Sequence, residues 1–196
     1  MRSQPSDINK PLKIVILGEG GVGKTTISKT FTSNSSFTLA KQTISVEFHS
    51  KMLLDQGTVQ NKIQIWDLGG QEHFKGMGVF KEFCRGSDAA ILCFDLTDLS
   101  SLFSLASWLS FLESDNPKFL IGTKADIASF EELEYDLTPF QEKLHCNYSF
   151  KCSAKNVASV RNIFWAIIGV IRSNKENRIK STQISTLNIP NQAIIS

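Results

Sequence analysis

Apolar and polar positions along this chain form short hydrophobic runs separated by amphipathic stretches, and the period changes from segment to segment. Residues 12 to 17, LKIVIL, are almost wholly apolar and predict a strand buried on both faces. Thr25 to Ser33 predicts the helix that follows. Segments 43 to 54 and 59 to 67 alternate with period 2, and DQGT between them predicts the turn of an antiparallel hairpin. Strand-like AAILCFDL (89 to 96), KFLIGTK (118 to 124) and YSFKCSA (148 to 154) then take turns with helix-like SSLFSLASWLSFLES (100 to 114) and TPFQEKLH (138 to 145). Thr138, Pro139 and Gln141 predict a capping box at the start of the latter. The final helix, about 158 to 173, sets Val160, Ile163, Phe164, Ile167, Ile168 and Ile171 on one stripe.

Such alternation predicts an α/β fold: a mostly parallel six-stranded sheet with one antiparallel hairpin strand and helices on both faces. Ligands in sheets of this kind sit at the carboxyl ends of the strands. One domain, residues 11 to 173, is expected between polar tails at 1 to 10 and 174 to 196.

A net charge of +2 is too small to argue for nucleic acid as a partner. Cys84, Cys93, Cys146 and Cys152 lack metal-ligand spacing and are expected to be small packing residues in a reducing, cytoplasmic setting. No apolar run has the length of a membrane span, the longest candidate being IFWAIIGVI. Without a glycine at position 2 or a cysteine after Cys152, no lipid anchor is expected. The expectation is a monomer that reaches a membrane, if at all, peripherally through a partner.

The candidate chemistry begins at GEGGVGKT, which carries four glycines in six positions directly after the first strand. It fits G-x-x-x-x-G-K-[ST], a loop whose backbone N–H groups surround a β-phosphate while the lysine neutralises β/γ oxygens and the hydroxyl meets Mg²⁺. The expected contacts are Gly18, Gly20, Gly21, Val22, Gly23, Lys24, Thr25 and Thr26. Such a cradle serves ATPases, kinases and GTPases alike, so the discriminating residues must lie downstream. Asp67, ending a strand in KIQIWDLGGQE, is a candidate to hold Mg²⁺ through water, with Thr25 and Thr43 as direct metal ligands. Gly70 could bring a backbone N–H to the γ-phosphate, and Gln71 could orient an attacking water. The base reader is Thr123-Lys124-Ala125-Asp126: a carboxylate there accepts from guanine N1–H and the exocyclic amine, which adenine does not offer. Ser153, Ala154 and Lys155 add a backbone N–H for guanine O6.

These motifs together resemble a small GTPase of the Ras superfamily, similar to the Rab branch, over residues 11 to 173. GEGGVGKT, the threonine of TISVEF, DLGGQ, TKAD and SAK stand in family order, and ISVEF, KIQIWDLGGQEHF and FCRGS carry the Rab likeness. TKAD stands where Asn-Lys-x-Asp is commoner, and DLGGQ has Leu-Gly where Rabs usually have Thr-Ala. The family's aromatic clamp on guanine falls at Ser36, making Phe37 the expected substitute. Rabs normally end in prenylated cysteines, and this sequence does not.

The resemblance implies a P-loop GTPase of Ras-like fold, holding GTP or GDP with Mg²⁺ and switching by slow hydrolysis to GDP and phosphate, with Lys24, Thr43, Gly70 and Gln71 in the catalytic roles. It also implies an exchange factor, a GTPase-activating protein and effector proteins, the last meeting an aromatic trio at Phe48, Trp66 and Phe83. Alternation independently sets Trp66 on the polar face of its strand, with Lys62 and Gln64. The first switch, SNSSFTLAKQT, contains no arginine, so one would come from a partner, with Gly20 and Gly21 leaving room for it. His73 reads as a surface histidine. The competing reading is a nucleotide-locked interaction module that binds guanine nucleotide and scarcely hydrolyses it; an ATPase or kinase ranks third because of TKAD.

Overall fold

The computed structural model of the chain describes residues 10–33, 46–55, 58–70 and 79–187. Phe37, Thr43, Gln71, His73 and the middle of the DQGT turn lie outside the described residues.

Six strands form one sheet in the order β2-β3-β1-β4-β5-β6. They are β1 (Leu12–Leu17), β2 (Val46–Asp55), β3 (Thr58–Leu68), β4 (Ala89–Asp95), β5 (Lys118–Thr123) and β6 (Tyr148–Lys151). Only β2 and β3 pair antiparallel; every other pairing is parallel. The fold is that of a Ras-like P-loop α/β protein, as the order of motifs implies.

Both faces of the central strands are buried, so successive side chains of β1 serve different cores. Ile14 and Ile16 join Ile63, Ile65 and Ile91 beneath α1 (Lys24–Thr32) and the long last helix. Phe31 of α1 stacks on Phe164 of that helix, ring centroids 4.1 Å apart. Val15 and Leu17 face the other way, onto Leu92, Phe94, Leu120 and Trp108. That second core is roofed by α2 (Val79–Cys84), α3 (Ser100–Phe103), α4 (Phe130–Glu134) and α5 (Thr138–Lys143). Each large apolar side chain buried this way contributes on the order of 1.5–3 kcal/mol.

Three departures from the sequence-based expectations have local causes. The helix expected over 100 to 114 is α-helical only to Phe103 and continues as a 3₁₀ segment, Ser104–Phe111. Serines recur there at every third position, and Ser104, Ser107 and Ser110 each donate their hydroxyl to the carbonyl three residues back, at 3.0, 2.8 and 3.1 Å. Such bonds favour the tighter winding. Thr138 does not cap α5; the N-cap is Leu137, with no side-chain cap, and Asp136 Oδ1 accepts the Thr138 N–H at 2.9 Å. The capping box forms instead at Ser129 and Glu132 of α4. Finally, α6 (Val157–Leu187) does not stop near 173, so the first part of the expected C-terminal tail is helical. Lys175 on this extension pairs with Asp88 at 2.8 Å.

Candidate functional site

The glycine loop bridges β1 and α1 at the carboxyl end of the sheet. Gly18 has φ +140°, and a Cβ there would stand 2.1 Å from the carbonyl oxygen of Cys93 on the neighbouring strand β4. The loop is therefore wedged against the sheet by backbone alone, and Gly23, with φ 97°, turns it into the first residue of α1. Lys24 is buried and folds back over the loop, Nζ donating to the carbonyls of Gly18 at 2.8 Å and Glu19 at 2.6 Å. A lysine curled over a ring of backbone groups is placed to exchange those carbonyls for phosphate oxygens.

The next helical residue, Thr25, donates its hydroxyl to Asp67 Oδ2. Pairing of β1 with β3 sets Asp67 beside Ile16, one residue before the loop's approach. Asp67 is 0% exposed, and its Oδ1 has no hydrogen-bond partner. Burial pushes its carboxyl up to about 6, although the Thr25 hydrogen bond and Lys24 pull the other way. A buried, under-satisfied carboxylate beside a hydroxyl is a hard-oxygen donor set that fits Mg²⁺. The folded state thus favours the protonated acid. The penalty for ionising Asp67 is absent below pH 3.8, grows as pH rises toward 6 and is complete above it. Asp67→Asn should accordingly stabilise the metal-free protein at pH 7, by about 2–3 kcal/mol or roughly 5–10 °C in Tm, while removing the stabilisation by Mg²⁺. Thermal melts with chelator and with Mg²⁺, at pH 5 and 7, measure both effects.

Gly70 follows β3 and lies on the phosphate loop itself: a Cβ there would meet Gly20 N and Gly18 O at 2.4 Å. The loop after Asp67 therefore touches the loop that ends at Lys24.

At the other end of the cleft, Thr123 closes β5. Its hydroxyl donates to the Phe94 carbonyl, at 3.0 Å, and reaches the Val22 carbonyl, so the threonine that stands in place of the commoner asparagine ties β5 to the glycine loop. Lys124 takes a left-handed conformation, φ 59°, and its Nζ pairs with Asp95 at 2.5 Å. Asp126 Oδ1 accepts from Ser153 Oγ at 2.6 Å, and Oδ2 pairs with Lys155 at 2.7 Å. Those two partners hold the Asp126 carboxyl below the usual range, so it is an acceptor-only carboxylate at neutral pH. A cavity of about 310 Å³ opens here, with Thr26, Lys124, Asp126, Ile127, Ala154 and Lys155 in its wall. A wider one of about 850 Å³ adjoins Gly20 and Gly21, and Glu19, Asp95 and Asp98 give it an acidic lining.

The structure thus brings the described phosphate-loop, metal and base-reader candidates to the carboxyl end of one sheet, Thr43 lying outside the described residues. Two further residues belong to it that sequence reasoning missed. Asp95, the last residue of β4, orients Lys124, and its position at a strand's carboxyl end was the available signal. Ile127, 63% exposed, walls the 310 Å³ cavity directly after Asp126.

The aromatic trio forms a row on the opposite face of the β2–β3 ribbon. Phe48 and Trp66 are cross-strand partners with ring centroids 4.5 Å apart, and Phe83 of α2 lies 5.9 Å from Trp66. Phe48 is exposed at 59%. Trp66 is half-buried rather than fully exposed, because Phe48 and Phe83 flank it and Lys13 Nζ stands 3.9 Å over its ring.

Comparison with known proteins matches residues 13–173 to the family model described as Ras family. The chain is similar to Ras-related protein Rab-7b of Homo sapiens, 33% identical over 160 residues, covering 78% of each chain. It is also similar to Ras-related protein Rab-18 of Lymnaea stagnalis, 32% identical over 84% of this chain and 82% of the relative. Ypt/Rab-type GTPase YPT7 of Saccharomyces cerevisiae is 32% identical over 78% of this chain and 77% of its own.

Proposed function

This chain belongs to the Ras family, and on that premise we propose that it is a Rab-like GTP/GDP switch which hydrolyses GTP slowly and signals through its aromatic face in membrane traffic. The observation that carries this reading is the placement of Lys24, the Thr25–Asp67 pair and the Asp126–Ser153–Lys155 cluster at the carboxyl end of the same sheet.

Each residue has a part. The backbone of Gly18, Gly20, Gly21, Val22 and Gly23 cradles the β-phosphate, and Lys24 leaves the Gly18 and Glu19 carbonyls to neutralise β/γ oxygens. Thr25 and Thr43 would ligate Mg²⁺ and Asp67 would hold it through water; bound there, the ion would supply positive charge beside the phosphates. Gly70 and Thr43 are the contacts that a γ-phosphate gathers and hydrolysis releases. Gln71 orients the attacking water, and an arginine supplied by a partner through the acidic cavity beside Gly20 and Gly21 stabilises developing charge. Thr123, Lys124, Asp126, Ser153, Ala154 and Lys155 read guanine, and Phe37 covers it. Effectors dock on Phe48, Trp66 and Phe83; a row of large aromatics in mutual contact is the composition of an interface hot spot. Among the described residues no helix is long and apolar enough to cross a membrane; the membrane role in this reading is a peripheral one, through a partner.

Single-turnover phosphate release from GTP-loaded protein with Mg²⁺, comparing wild type with Gln71→Leu, tests the reading. The expected result is a wild-type rate near that of unassisted Ras-type hydrolysis, on the order of 10⁻⁴–10⁻³ s⁻¹, lowered by roughly tenfold or more in the variant. Equal, near-zero rates would instead make the protein a nucleotide-locked binding module.

A further inference from the structure

Three side chains of the β2–β3 ribbon converge on the face turned toward α1, away from the aromatic row. Glu47 and His49 lie two apart on β2 and so share a face, and Glu47 is the direct cross-strand partner of Asp67. The ligand atoms of Glu47, His49 and Asp67 all lie within 4.8 Å of one another, and Glu47 Oε1 is 3.8 Å from His49 Nε2. His49 Nε2 and Asp67 Oδ1 are both buried with no hydrogen-bond partner. The His49 side chain is 9% exposed and Asp67 is 0% exposed. Leaving one such polar atom unpaired costs about 1–3 kcal/mol, so two at one spot call for an occupant. Asp67 Oδ1 alone could be ascribed to the nucleotide's Mg²⁺. An imidazole nitrogen has no part in a hard-oxygen magnesium site, so His49 points to a different and softer ion.

We propose that Glu47, His49 and Asp67 form a second divalent-metal site, suited to Zn²⁺ or Co²⁺, beside the metal of the nucleotide. One imidazole and two carboxylates leave a fourth position open, the donor count of an open zinc site. Lys29 Nζ pairs with Glu47 Oε1 at 2.9 Å, so a side-chain cation already neutralises one ligand there, and an incoming ion must displace it. The two metals would share one carboxylate, Asp67 Oδ1 on the second and Oδ2 on the Thr25 side, which couples occupancy of one to affinity for the other. The inference stands on the ribbon's geometry and does not require hydrolysis.

The test titrates GDP-loaded full chain with Co²⁺ and then Zn²⁺, in saturating Mg²⁺ so that the nucleotide's own site is filled. One Co²⁺ per chain should bind with the intense visible absorption of a four-coordinate ion and no thiolate charge-transfer band, and Zn²⁺ should displace it. His49→Gln should weaken binding by at least about tenfold, and Lys29→Met should strengthen it. Circular dichroism checks that each variant is folded. Lys29 is a half-exposed surface residue, so that variant decides the matter even if His49→Gln fails to fold. The proposal is overturned by a thiolate band, by affinity unchanged in a folded His49→Gln, by no strengthening in Lys29→Met, or by no saturable binding at millimolar metal.

Discussion

Gly18→Ala is expected to abolish nucleotide binding and to lower Tm by roughly 10 °C or more. The added Cβ would stand 2.1 Å from the Cys93 carbonyl oxygen, a backbone atom of a strand fully buried between two others. Neither side can yield: β4 is paired with β1 and with β5, and φ +140° is itself unfavourable for alanine. Gly21→Ala is the matched control. Gly21 also has positive φ, +77°, but a Cβ there meets nothing within 4 Å, so only backbone strain of about 1–2 kcal/mol applies. Melting curves and fluorescent GDP binding for the two variants separate collision from strain. Equal losses in both would show that the loop is not wedged against β4.

The second large effect concerns base choice. On the proposed assignment, Asp126→Asn should cost about 10²–10⁴ in affinity for GTP and give relative preference to xanthosine triphosphate. An ionised Asp126 offers acceptors only, matching two guanine N–H donors; an asparagine turns one acceptor into a donor and suits a base with N1–H beside a carbonyl. In the structure the carboxylate is held by Ser153 Oγ and Lys155 at the wall of the cavity. Competition of labelled GDP with GTP, xanthosine triphosphate and ATP reports the ranking. An unchanged ranking would remove Asp126 from base reading.

Much of this was legible in the chain because the strong signals were either two-sided burial or fixed spacing. LKIVIL became β1 residue for residue, since a strand apolar on both faces has only the sheet centre to occupy. GEGGVGKT fell between strand and helix, and the two reading motifs TKAD and SAK met at one cavity. What depended on non-local geometry was illegible. Serine spacing does not by itself distinguish an α-helix from the 3₁₀ segment that Ser104 to Phe111 form. The half-burial of Trp66 required knowing that Lys13, from a different strand, rests on its ring. Glu47, His49 and Asp67 could be brought together only by the register of β2 on β3, which no local pattern states. The helical run from 174 to Leu187 is polar enough to look like a tail, and no apolar stripe marks it.

That run also sets a direction. The carboxylate of Asp88 is gripped from two sides, accepting the backbone N–H of Lys13 at 2.8 Å and pairing with Lys175 at 2.8 Å. Both grips are at the amino ends of β1 and β4, the pole of the sheet farthest from the phosphate loop. Beyond Lys175 the helix continues to Leu187, a spar of about 18 Å at 1.5 Å per residue. Whatever holds the end of the spar holds the protein by its back, leaving the nucleotide cleft uncovered for an exchange factor or an arginine donor to approach.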